Sequence, residues 1–192
     1  MDTAIPLNGI AVWCEELTTN GFVDHHSIQS ASYGQELHRY KMRSAIVNYK
    51  VTGMQEGTET LYFERWGMRE ARYTETEIKM MGMGVKTHNL TLMDGEFTYA
   101  VDLVKKTGTK TKTPMMEALI RNAESENKDL TDVGTDMMVQ MGGKIVGEEQ
   151  ILGKNCQIWE ISNMKTKTWI WNGIVLKSET SMMGTQTSEA TT

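Results

Sequence analysis

Methionine is the residue type whose number and spacing could do chemistry in this chain. Sixteen occur in 192 residues, and ten of them cluster as Met80, Met81 and Met83; Met115 and Met116; Met137, Met138 and Met141; and Met182 and Met183. A thioether is a soft donor, so methionines sharing a face could hold Cu(I). A strand places Met81 and Met83 on one face, and a helix does the same for Met137 or Met138 with Met141. Either set supplies two donors where Cu(I) wants a third. The same side chains are flexible and polarizable, which suits ordinary core filling and also a deformable lining for an apolar ligand. Core filling is the first reading, a ligand lining the second and copper the third.

Other reactive side chains are sparse. His88 falls on the apolar face of a hairpin, either as a core-margin histidine bonded to backbone or as part of a ligand site. His25-His26 sit in loop-like sequence, without further donors at metal-ligand spacing. Cys14 and Cys156 lie too far apart in sequence for a Cys-x-x-Cys motif, and a disulfide between them needs an oxidising compartment. Cys156, two residues before Ile158, otherwise reads as a small buried hydrophobe. The chain lacks a G-x-S-x-G elbow, an H-E-x-x-H pair and a P-loop. Gly82-Met83-Gly84 lacks the third glycine of a dinucleotide fingerprint. No enzymatic activity, cofactor or resident metal is therefore expected.

Composition narrows the partners. The chain is 39% hydrophobic with a net charge of -5 and a mean hydropathy of -0.43, values of a soluble globular protein. Lysine and arginine are dispersed among acids, which argues against a nucleic-acid footprint. No run approaches the ~20 apolar residues of a spanning helix. The opening residues, Met1 to Pro6, lack the basic and apolar regions of a signal peptide. Asn89-Leu90-Thr91 matches a glycosylation sequon but lies inside an expected strand.

The elements that must position these residues are mostly strands. Ile151 to Ile161, Thr166 to Trp171 and Ile174 to Met182 read as strands, the last two meeting at Asn172-Gly173, a type I′ hairpin dipeptide. This pairs Trp171 with Ile174 and Trp169 with Leu176 on one face. Lys144 to Gln150 opens that meander. Upstream, Ala45 to Thr52 alternates, and a loop at Gln55-Glu56-Gly57 sets Val51 opposite Leu61 and Tyr49 opposite Phe63. Met68 to Met81 reads as a polar strand near an edge or facing water. Val85 to Met93 and Glu96 to Val104 form a hairpin about Asp94-Gly95, pairing Leu92 with Phe97, Leu90 with Tyr99 and His88 with Val101. Lys105 to Thr113 reads as a solvated connector.

The period then changes. Thr113-Pro114 starts a helix carrying Met115, Leu119 and Ile120 to about Glu124. A second runs from Leu130 to Met141 and ends at Gly142-Gly143. The expected organisation is an irregular segment 1–43, a single sheet domain 44–183 with a helical insert 114–142, and a disordered tail 184–192.

Two stretches resemble a group of exported bacterial proteins of unknown function. One is Gly147-Glu148-Glu149-Gln150-Ile151-Leu152-Gly153-Lys154-Asn155-Cys156-Gln157-Ile158-Trp159-Glu160, followed by Lys167 to Lys177. The other runs Ile46-Val47-Asn48-Tyr49-Lys50-Val51 through Gly57 to Phe63. That group is similar in layout to the lipoprotein-carrier (LolA-like) half-barrel, in which a bent antiparallel sheet wraps around helices. The resemblance covers roughly residues 44 to 183. It implies an α+β fold, a curved antiparallel sheet whose concave face is covered by inserted helices, and a periplasmic or extracellular location.

The expected function is accordingly a non-enzymatic carrier of a lipid or other hydrophobic ligand in the cell envelope. The expected ligand-binding residues are Tyr49, Leu61, Phe63, His88, Leu90, Phe97, Tyr99, Met137, Met138, Met141, Trp169 and Trp171, with Val51, Leu92 and Leu176 beside them. Two alternatives stand next to it: a self-assembling structural subunit that docks through its N-terminal segment, and a Cu(I)-binding protein.

Overall fold

The computed structural model describes residues 37–80, 83–95, 97–182 and 184–192. Eleven strands follow in chain order: β1 Ala45–Gly53, β2 Gln55–Glu64, β3 Arg69–Met80, β4 Met83–Asp94, β5 Phe97–Asp102, β6 Thr107–Lys112, β7 Lys144–Ile151, β8 Lys154–Ile161, β9 Thr166–Trp171, β10 Ile174–Thr180 and β11 Gln186–Ala190. Two helices, α1 Pro114–Glu126 and α2 Leu130–Gln140, lie between β6 and β7. All strands join one curved antiparallel sheet in the order β6-β5-β4-β3-β2-β1-β11-β10-β9-β8-β7. The sheet does not close, and the helical insert links the two strands at its opposite edges.

Three expectations about the elements are corrected. Residues 184–192 are not a disordered tail. Strand β11 inserts between β1 and β10, pairing Ala190 with Tyr49 and Glu189 with Lys177. Its polar Gln-Thr-Ser-Glu composition masks a backbone that completes two ladders. Lys105 to Thr113 is not only a connector, since β6 pairs along all of β5. Alternating threonine and lysine is itself a period-two pattern, suited to an edge strand that resists further pairing. Strand β3 lies inside the sheet between β2 and β4 rather than at an edge.

The helices follow their local signals. Pro114 occupies the first turn of α1, which ends at Asn127 in the left-handed region (φ 53°). Past α2, Gly142 (φ +83°) turns the chain, and the Gly143 N–H donates to the Met138 carbonyl at 2.8 Å. This is the αL termination glycine permits. Ala123, Leu130 and Val133 of the helices pack with Leu119, Ile120, Leu37 and Met68.

Two hairpins are slipped from the expected pairing by an even number of residues. Leu61 opposes Val47 and Phe63 opposes Ala45, because the β1–β2 turn forms at Gly53 (φ +118°) and Met54. Leu92 opposes Tyr99 and Leu90 opposes Val101. An even slip preserves the face of every side chain. In β9–β10, Trp171 opposes Ile174 as expected, but a bulge between Val175 and Lys177 sets Lys177 opposite Trp169.

Opposed residues of an antiparallel pair share a face, so the registers can be read across the sheet. Leu61 opposes Arg72, and Arg72 opposes Thr91. Tyr62 opposes Ala71, and Ala71 opposes Leu92. The face bearing Leu61 therefore becomes polar at β3, while the other face becomes apolar there. One core contains Tyr40, Val47, Tyr49, Leu61, Phe63, Trp169, Ile174 and Leu176. A second, on the opposite face, contains Ala71, Leu90, Leu92 and Val101.

Candidate binding surface

The face shared by Val47, Tyr49, Leu61 and Phe63 carries the larger core, and its chemistry changes along the sheet. The aromatic part is closed at one end by residues 38–41, which cross from one turn to another. The Arg39 and Tyr40 N–H groups donate to the Trp66 carbonyl at 2.9 and 3.0 Å, and the Lys41 N–H donates to the Asn172 carbonyl at 2.9 Å. This places the Tyr40 ring edge-on to Phe63, with centroids 4.6 Å apart. Gly67 and Gly173 make the crossing possible. A Cβ on Gly67 would lie 2.5 Å from the Tyr40 ring, and one on Gly173 would lie 2.6 Å from the Arg39 carbonyl.

Beside this aromatic part runs a band of charge. Arg72 bonds Glu59 directly and reaches Glu70 at 3.3 Å. Arg39 meets Glu70 at 3.2 Å, and the Tyr40 hydroxyl donates to the same carboxylate at 2.7 Å. Glu59 and Glu70 are well buried, with side-chain exposures of 15% and 12%. Burial alone would lower the Arg72 pKa, but the Glu59 and Glu70 carboxylates outweigh it and hold the guanidinium charged. Burial, and then the negative charge of Glu70, push the Tyr40 phenol well above its ordinary value. Burial does the same to Tyr49, whose hydroxyl donates to the Val175 carbonyl at 2.9 Å.

Further along the same face, Thr91 pairs with Ala100 and Ala100 with Thr109, while Asn89 pairs with Asp102 and Asp102 with Thr107. These residues, together with Leu90, Val101 and Gly108, line a concavity of about 460 Å³ that is open to solvent. One face thus grades from aromatic, through paired charge, to hydroxyl and amide.

The expected ligand-binding residues divide between regions. Tyr49, Leu61, Phe63 and Trp169 are buried in the larger core, with Trp171 half-buried against it. The Trp169 indole N–H donates to Glu149 at 2.6 Å, and the Lys154 ammonium lies 4.8 Å from the Trp171 ring centre. Leu90 and Tyr99 belong to the second core, and the pairing of Asp94 with Phe97 puts Phe97 on that same opposite face. They do not join Leu61 and Phe63, because the apolar alternation changes phase at β3. Phe97 and Tyr99 are instead overlaid by Lys110, whose ammonium is 4.0 and 5.2 Å from their ring centres. His88 lies exposed on that opposite face, near its end, and opposes Glu75. Met137 and Met138 are half-buried on α2, and Met141 is exposed.

Arg39, Tyr40, Glu59, Glu70 and Arg72 were not among the expected site residues. Alternating charge in Glu70-Ala71-Arg72 looks like a solvent face, and its partner Glu59 is recognisable only once β2 and β3 are in register. Cys156 is buried, and burial raises its thiol pKa. Cys14, His25, His26 and Met81 lie outside the described residues, and with them the disulfide and one copper arrangement. Among the described residues, no group of three or more His, Cys, Asp or Glu side chains could hold a metal ion. Among them, too, no helix is long and apolar enough to cross a membrane.

Taken together, fold and surface define an α+β protein built on one open antiparallel sheet with a two-helix insert. No protein-family model matches the chain, and no curated protein matches it significantly.

Proposed function

We propose that this protein is a non-enzymatic binding or carrier protein of the cell envelope, exported to the periplasm or cell surface, for a lipid or similar amphipathic molecule. The observation that carries this reading is the chemical gradient along one sheet face. Aromatic and aliphatic side chains at Tyr49, Leu61, Phe63, Trp169 and Trp171 lead through the Arg72–Glu59–Glu70 band to the threonine-lined trough. An acyl chain would lie on the aromatic part and a polar head in the trough. Helices α1 and α2 would cover the concave face as a lid, with Met137 and Met138 adapting to the ligand. Transfer of apolar surface contributes about 25 cal/mol per Å² buried, and this mode of binding requires no covalent chemistry.

Native mass spectrometry of the freshly purified protein tests this. The expected result is added mass that organic extraction removes, with tryptophan fluorescence altered on re-adding the extract. A bare mass, together with unchanged fluorescence across added fatty acids and phospholipids, overturns it. One observation favours a second reading, self-assembly: edge strand β7 exposes Ile145 and Val146, at 51% and 52%, beside an unpaired backbone. The same spectra report it as a dimer or larger species.

A further inference from the structure

In an antiparallel meander, alternate turns emerge on the same end of the sheet. Here the β1–β2, β3–β4 and β5–β6 turns share one rim. The pairing of Gly53 with Gln186 brings the β10–β11 turn to it. The pairing of Thr180 with Thr166 adds the β8–β9 turn, and that of Lys144 with Glu160 adds the end of the helical insert. The opposite rim, about 30 Å away for strands of this length, is the one crossed by residues 38–41.

Exposed apolar side chains are distributed unequally between the two. Among the described residues, Ile46, Leu152 and Val175 lie toward the crossed rim, and the other large exposed hydrophobic side chains lie at or near the first. Its turns present Met54 (50% exposed), Val104 (64%), Met164 (44%) and Met182 (60%), and Met141 (44%) follows α2. Exposed lysines stand among them: Lys86, Lys106, Lys144 and Lys165. Asp102, Glu160 and Glu179 on this rim are each engaged by a lysine, at 2.9, 3.2 and 3.1 Å. Glu56 and Glu77 lie at the same level as Lys86, Glu77 directly opposite it, which leaves Lys106, Lys144 and Lys165 as the lysines beside the apolar tips. In a chain of net charge -5, this rim is where cations and apolar tips coincide.

We propose that this rim docks on an anionic lipid bilayer, its methionine and valine tips entering the headgroup layer while the lysines meet lipid phosphates. The apolar groups are separate protrusions on separate turns rather than one continuous patch. A fluid interface accommodates each tip independently, whereas a folded partner needs a contiguous complementary surface. Lysines beside apolar tips match the negative surface potential of such a membrane. Docking stands whether or not the graded face holds a ligand.

The test is co-sedimentation of the full chain with phosphatidylcholine vesicles containing phosphatidylglycerol, against vesicles of phosphatidylcholine alone. Binding is expected to the first, weakening as salt rises. The combined variant Val104→Ser, Met164→Ser, Met182→Ser is expected to bind about tenfold more weakly, and Ile46→Ser with Leu152→Ser to bind as the parent does. Oxidation footprinting of the unaltered protein is independent of variant folding: anionic vesicles should slow peroxide oxidation of Met54, Met164 and Met182 several-fold. Absence of vesicle binding, equal loss in both variants, or oxidation rates unchanged by vesicles overturns the proposal. So does a homodimer whose formation alone protects these methionines.

Discussion

Arg72 shares a sheet face with Leu61 and Phe63 and is stable there because two carboxylates reach it. Removing it strands Glu59 and Glu70 in a partly desolvated site. Loss of one partner from a fully buried pair costs about 3–5 kcal/mol, and the 36% exposure of the Arg72 side chain reduces that here to about 2. Arg72→Met should therefore lower the urea midpoint, and adding Glu59→Gln should recover part of the loss. An unchanged midpoint would mean that the band is solvated. The tyrosines make a second prediction. Tyr40 and Tyr49 have folded pKa values raised above the ordinary 10.0, so their contribution is complete below that pH. It is lost as pH rises from there toward the folded values, since the unfolded chain ionises first. Alkaline titration should show these two phenols ionising together with loss of structure, not before it. The aromatic members of this site were legible from period-two alternation. The charged members were not, because opposite charges signal burial only when their strands are placed side by side.

Strand β11 is the element on which the sheet most depends. It contributes Ala190 to the larger core and separates β1 from β10, and the Asn48 N–H donates to the Thr192 carbonyl at 2.9 Å. Truncation after Gly184 should abolish cooperative unfolding, as followed by circular dichroism. A truncated protein with the parent midpoint would show β11 to be dispensable. Gly173 carries a smaller penalty. Its φ of +82° and its 2.6 Å clearance to the Arg39 carbonyl should make Gly173→Ala destabilising by about 1–3 kcal/mol in denaturant unfolding. Helix positions, the Asn172-Gly173 hairpin and the faces of most strands were readable from glycine, proline and periodicity. Registers were harder: turns at Gly53-Met54 and after Asp94 moved the pairs by even steps, which leaves periodicity unchanged. Strand β11 was hidden because polar residues with few apolar neighbours resemble an unstructured end.

At the scale of the molecule, one sheet carries two cores on opposite faces, which a single alternating pattern does not disclose. The expectation of one continuous greasy face joined Leu61 and Phe63 to Leu90 and Tyr99, and the β2–β3 register separates them. That separation gives the Leu61 face of β4 and β5 to Asn89, Thr91, Ala100 and Asp102 in place of Leu90 and Tyr99. The order of strands also fixes when the molecule can be finished. Ten strands are synthesised before the one that joins the β6-to-β1 part of the sheet to the β10-to-β7 part. During synthesis the two parts stay unjoined until residues 186–190 are free to pair, so a product that stops short of β11 leaves the inner edges of β1 and β10 open to proteolysis.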